Sequence, residues 1–347
     1  DGATLGEDFV LQFTIDLDDA GLVLPPGFVV EALSPFNYHH PLGLEVLPAI
    51  SINGATRTED PVIGDVTRRR LLSLRPDQRV ATWATRPEFL DVILSVERDL
   101  SVDFGQGLLV TTRTQLLSQD SQGIWSLLHS PSGFVEAVRV GEGTLAGYAY
   151  LSSPAEGGLI RVDPSGVGTL WAAGMGNARG FDQAPAGHSL EGELIVCISD
   201  LNQGGNGDLR RVAADGSSSI WVSSPLLDGA MDLRVAPVGP FGAGNVIVGD
   251  VLEERLLVVD PQGQVSVLIT GFENLYGSDF LSFGRDGALY VLDPGGAEGI
   301  TNSGSTAEPR LLRISARNAT DTPPAAQGDL RLRAHPNPFN PRVELQY

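Results

Sequence analysis

Short apolar runs bounded by Gly, Asp, Asn and Pro recur along the whole chain, among them Leu194-Ile195-Val196, Val246-Ile247-Val248 and Leu289-Tyr290-Val291. Runs this short suit buried β-strands better than helices. A longer period lies over them. An eight-residue phrase that opens on apolar positions and ends in a turn occurs six times: Leu71 to Gln78, Leu116 to Gly123, Leu159 to Gly166, Leu209 to Gly216, Leu256 to Gly263 and Leu311 to Asn318. Asp-Pro-x-Gly and Ala-Asp-Gly at its end are turn chemistry, because Pro presets φ and the closing Gly tolerates positive φ. Each phrase therefore predicts a strand and the hairpin turn that follows it. After five of the phrases comes a further β-rich run, such as Val167 to Trp171 or Val265 to Ile269, and the sixth has none. With a strand before most phrases and another short, acid-bearing strand before that, each unit predicts four strands.

Six four-stranded units in series predict an all-β, six-bladed β-propeller. The outer strand missing from the sixth unit has a donor in Phe28 to Leu33, which precedes the first inner strand and has nothing upstream to pair with. The ring is therefore expected to close through its own N-terminal strand, which removes exposed edges. The domain limits read as an extra strand within 1–24, the propeller over 25–319, a linker over 320–328 and a separate C-terminal segment over 329–347.

The repeat phrases, Gly284-Arg285-Asp286-Gly287-Ala288-Leu289-Tyr290-Val291-Leu292-Asp293 above all, resemble those of NHL-like and gluconolactonase-like propellers over roughly residues 28 to 318. That resemblance implies the fold, and it makes calcium-dependent lactonases the nearest enzyme analogy. The early Glu-Gly-Pro phrase of those lactonases has no counterpart, since Glu45 is followed by Val46-Leu47. No catalytic role is carried over. At the other end, Pro336-Asn337-Pro338-Phe339-Asn340-Pro341 and the strand to Tyr347 resemble the opening of a type nine secretion C-terminal sorting domain, immunoglobulin-like in fold. This implies an extracellular or bacterial cell-surface address.

Aligning the innermost strands brings one carboxylate per unit to a common place: Glu45, Asp91, Glu136, Asp182, Asp232 and Asp279, at spacings of 46, 45, 46, 50 and 47. Nearly all have apolar neighbours, as in Leu44-Glu45-Val46, so alternation turns the acids away from the packed face and toward the channel or the seams between blades. Such a ring needs partners. Either backbone N–H groups and water satisfy it, or a hard cation such as Ca²⁺ does. Among the loops, Asp200, Asn202, Asn206 and Asp208 form the richest ligand set, and His40 is placed near the channel mouth. A surplus alternating strand with Phe9, Leu11, Phe13 and Ile15, and another with Val343 and Leu345, are candidates for pairing with a local edge or with a second copy of the chain.

Composition narrows the function. The formal charge of −20 disfavours nucleic acid and anionic membrane as partners. No apolar run is long enough to cross a membrane. All 23 basic residues are Arg, which excludes Schiff-base chemistry by lysine. The single Cys197 sits in an apolar run and reads as core. No nucleophile elbow, Walker loop or His-Glu-x-x-His motif is present. The expectation is a non-enzymatic surface, assembly or ligand-binding propeller, with possible roles for Ca²⁺ and self-association. The alternative is a metal-dependent hydrolase or lactonase working at the channel mouth.

Overall fold

The computed structural model describes residues 22–33, 41–47, 50–52, 55–57, 60–65, 69–74, 80–85, 92–99, 101–199, 207–277, 279–295, 309–317, 331–334 and 343–346. Contacts divide the chain into two compact units, Asp1–Ser315 and Ala316–Tyr347.

The first unit opens with β1 (Phe28–Ala32). Blade 1 follows with β2 (Pro41–Leu47), β5 (Asp60–Asp65), β6 (Arg70–Leu74) and β7 (Val80–Thr85), the small hairpin β3 (Ile50–Ile52) and β4 (Ala55–Arg57) lying between its first two strands. Blade 2 holds β8 (Ile93–Arg98), β9 (Leu108–Thr112), β10 (Leu116–Gln119) and β11 (Trp125–His129). Blade 3 holds β12 (Val138–Val140), β13 (Ala149–Ser153), β14 (Gly158–Val162) and β15 (Gly168–Ala172). Blade 4 holds β16 (Ala178–Gln183), β17 (Leu194–Ile198), β18 (Gly207–Val212) and β19 (Ser218–Ser224). Blade 5 holds β20 (Ala230–Val235), β21 (Val246–Asp250), β22 (Arg255–Val259) and β23 (Val265–Thr270). Blade 6 takes β24 (Leu281–Phe283), β25 (Leu289–Asp293) and β26 (Arg310–Ala316) from the end of the ring and β1 from its beginning, in the order β1-β26-β25-β24. The closure expected from the sequence is thus present, and Leu33 N–H extends it by donating to Leu311 O at 2.9 Å.

The repeated phrase works as its residues predict. In the turns of blades 2 to 5 one Asp Oδ1 accepts from backbone amides two and, in three of them, four residues on: Asp120 from Gln122 and Ile124, Asp163 from Ser165 and Val167, Asp215 from Ser217, Asp260 from Gln262 and Gln264. The glycine in each of these turns, Gly123, Gly166, Gly216 and Gly263, holds φ between 81° and 87°, a region open to Gly at little cost. On the opposite edge of the blades a second device recurs, a buried Asp ending the second strand and an Arg opening the third: Asp65 with Arg70, Asp250 with Arg255 and Asp293 with Arg310.

The core lies between blades. Val62 and Leu71 of blade 1 pack with Ile93, Val96, Leu108 and Val110 of blade 2, and the same kind of cluster fills the other seams. Cys197 is buried in the seam of blades 4 and 5, where burial pushes its thiol well above the ordinary range, so it is core as expected.

In the second unit, β27 (Arg331–Ala334) pairs antiparallel with β28 (Val343–Gln346). The C-terminal strand thus pairs locally, in a register that sets Val343 against Ala334 and Leu345 against Leu332. The strand carrying Phe9, Leu11, Phe13 and Ile15 lies outside the described residues.

Candidate functional site

The third position of each repeated phrase gives a ruler for the inner strands. Ser73, Ser118, Arg161, Arg211, Val258 and Arg313 pair with Val62, Leu109, Tyr150, Ile195, Ile247 and Tyr290 on the second strands. Those pair in turn with Glu45, Glu97, Arg139, Asp182, Arg234 and Ser282. This is the ring that shares one register, and it carries three acids, two arginines and a serine.

The expectation of six carboxylates at one register is therefore corrected. Glu45 and Asp182 belong to the ring, whereas Asp232 pairs two steps nearer the strand start with Gly249, and Glu136 and Asp279 precede their inner strands. The cause is local. The inner strands of blades 1, 2, 4 and 5 carry bulges, at Gly43, Leu94, Arg179-Gly180 and Met231, and each inserts residues that shift spacing in sequence against register in space. Asp91, His40, Asp200, Asn202 and Asn206 lie outside the described residues, and Asp208 sits in β18 facing Ile198 and Ser223.

Two arginines that the sequence reading passed over organise the channel. Arg139 Nη2 and Arg234 Nη2 both donate to Asp279 Oδ1, at 2.9 and 2.5 Å. Asp279 Oδ2 accepts from Ser95 Oγ at 2.7 Å and Val96 N at 3.0 Å, so blades 2, 3, 5 and 6 meet on one carboxylate. Asp232 Oδ2 accepts from the amides of Phe280 and Leu281, its Oδ1 from Leu233 N, and Arg234 Nη1 stands 3.6 Å away. Asp182 accepts from Gln183 N and Val235 N, both at 2.9 Å. Arg139 and Arg234 each also donate to the carbonyl of the residue before them. Val138-Arg139-Val140 and Leu233-Arg234-Val235 show the same charge-between-apolars pattern that singled out the acids. The signal was present, and only carboxylates were aligned.

Burial raises every one of these acids, with Arg139 pulling the other way. Glu45 is pushed up to about 8 by burial, with the negative charges of Asp279 and Asp182 adding to it. Glu97 is held well above the ordinary range by burial, and Glu45 adds to it. Asp279 reaches about 6. Asp182 is raised by burial. Asp232 is raised further, by burial and then by Asp279. Glu45, Glu97 and Asp182 nonetheless keep part of their surface open, 16% for the Glu97 side chain against 4% for Arg139. Glu45, Glu97 and Asp182 are thus the titratable end of the cluster, and Arg139, Arg234, Asp232 and Asp279 its closed part. Arg98, beside Glu45 and Glu97, is partly exposed.

Glu136 stands apart from this cluster. It is ion-paired through Oε1 with Arg179 of the next blade, its Oε2 has no hydrogen-bond partner among the described residues, and burial lifts it to about 7 against the pull of Arg179. His188 is structural: its Nδ1 accepts from Leu190 N, which leaves Nε2 to donate to Gly244 O at 2.9 Å.

A resident cation on the axis does not fit these residues. Both oxygens of Asp279 and both of Asp232 are already engaged by guanidinium, hydroxyl or amide donors, and no group of three His, Cys, Asp or Glu among the described residues is arranged to hold a metal.

No family model matches the sequence, and no curated protein matches it. Solved structures do. A gluconolactonase from Xanthomonas campestris superposes with a TM-score of 0.59 at 17% identity, covering 88% of this chain and 94% of that one. Regucalcin from Agrobacterium tumefaciens, described as a calcium-binding protein, gives 0.58 at 14%, covering 84% and 96%. A glucose dehydrogenase gives 0.58 at 14%, covering 83% and 100%. At such identities the likeness establishes the six-bladed fold alone. It also counts against the expectation of a non-enzymatic surface or assembly protein, since two of these three neighbours are named as enzymes, a gluconolactonase and a glucose dehydrogenase. The type nine secretion domain has no corresponding support.

Proposed function

We propose that the chain hydrolyses lactone or ester bonds at the partly open end of the channel, with Glu45 and Glu97 as an acid–base pair. One observation carries this reading: two carboxyl groups on neighbouring inner strands, both raised by burial and both in reach of channel solvent. Perturbed carboxyls in a cleft mark acid–base chemistry. The gluconolactonase among the structural neighbours supports the choice of substrate class.

Hydrolysis needs one group to take a proton as water bonds to the carbonyl carbon, and another to give a proton to the leaving oxygen as the C–O bond breaks. A singly protonated pair supplies both. The ionised carboxylate takes the proton from water and the neutral one protonates the leaving alkoxide, so the pair ends singly protonated with its roles exchanged. Arg98 places positive charge beside the oxyanion that forms between these steps.

A panel of lactones and esters tests the proposal. Turnover is expected to climb as pH passes about 8, where Glu45 gives up its proton. Glu45→Gln and Glu97→Gln are each expected to lower kcat by about 100-fold or more with melting retained. Variants as active as the parent, or no turnover on any member of the panel, would overturn it.

A further inference from the structure

We propose that the guanidinium groups of Arg139 and Arg234 together take the place of an axial divalent cation, so that the ring is tied at its centre without a metal ion. Two guanidiniums carry the charge of one such ion. They converge on a single oxygen, Asp279 Oδ1, from blades 3 and 5, as two bonds to a shared metal would draw those blades together. Arg234 stands beside Asp232 as well, 3.6 Å from Oδ1. Both side chains are almost fully buried, and each is anchored by its neighbouring backbone carbonyl, Arg139 Nη1 to Val138 O at 2.5 Å and Arg234 Nη1 to Leu233 O at 3.2 Å. The Arg139 guanidinium also lies 5.9 Å from the centre of the Phe181 ring, a further hold on the positive group.

The substitution has a chemical logic. A hard cation asks for six to eight oxygens and can be removed by a chelator. A guanidinium is covalently part of the chain, stays charged, and offers planar donors that fit carboxylates. An axis built this way is indifferent to the supply of metal. With both guanidiniums gone, Asp279, Asp232, Asp182 and Glu97 would face one another with only the partly exposed Arg98, beside Glu97, as counter-charge, the situation that favours a bound cation.

Melting in EDTA and in millimolar CaCl₂ tests this on the full chain, whether or not the chain hydrolyses lactones. The parent is expected to melt at the same temperature in both. The double variant Arg139→Gln/Arg234→Gln is expected to melt lower in EDTA and to regain several degrees with Ca²⁺ by mass action. A double variant that folds and ignores Ca²⁺ overturns the proposal. Should the double variant fail to fold, calorimetric titration of the parent and of Asp279→Asn with CaCl₂ decides. Binding heat in the parent that disappears in Asp279→Asn would show a metal on the axis and sink the idea. No heat, or heat that Asp279→Asn leaves unchanged, upholds it.

Discussion

Glu45 at about 8, Glu136 at about 7 and Asp279 at about 6 keep protons in the folded chain that the unfolded chain releases near 4.5 for Glu and 3.8 for Asp. Between the ordinary and the raised values the folded state binds more protons, so stability falls as pH rises through that window. Asp163, Asp215 and Asp286 are lowered and act in the opposite sense, losing their contribution only as pH falls below the usual carboxylate range. Calorimetric melting is therefore expected to be highest near pH 5 and to decline steadily to pH 9, with Glu45→Gln and Glu136→Gln each flattening the decline. A melting temperature that rises over that span would contradict the burial described for these groups. The inner acids were legible from the sequence because nearly all stand among apolar neighbours on, or just before, an inner strand. Their partners were not, since Arg139 reaches Asp279 across the channel from a position 140 residues away in the chain.

Elements were the most readable level. The repeated phrase carries its own turn residues, and the lack of an outer run after Leu311 pointed to Phe28 to Leu33 as the missing strand, the one that pairs with β26. Bulges were not readable, because one extra residue in a strand leaves the apolar pattern nearly intact while moving every later side chain by one place. This is why evenly spaced acids fell on different registers. Close approach between blades was equally hidden. Gly249 in β21 lies against blade 6 so tightly that an added Cβ would stand 2.1 Å from Phe280 Cζ. Gly249→Ala is thus expected to destabilise by about 1–3 kcal/mol through displacement of that ring, measured by urea unfolding. The outer strands behave differently. Leu127, Leu170, Ile220 and Val267 occupy one register on four successive blades and are about half exposed.

The whole molecule carries 43 acidic against 23 basic side chains, and several of the latter are spent inside on Asp279, Glu136 and Asp293. The surface is left strongly negative, and self-repulsion of that kind opposes compactness. Raising NaCl from 10 to 200 mM is expected to raise the melting temperature by screening it, since the Debye length falls from about 30 to below 10 Å. A fall would mean that surface ion pairs dominate. The closing strand has a consequence for the order of events during synthesis. Residues 28–32 leave the ribosome before any of the blades, whereas β26 at Arg310–Ala316 emerges only after the first five blades have been made. Contacts of such long range form late and slow folding. Until then β1 has no place to go, and the first five blades must assemble as an open arc with two raw ends. The nascent arc, rather than the finished ring, is accordingly the form in which this protein is most exposed to misassociation.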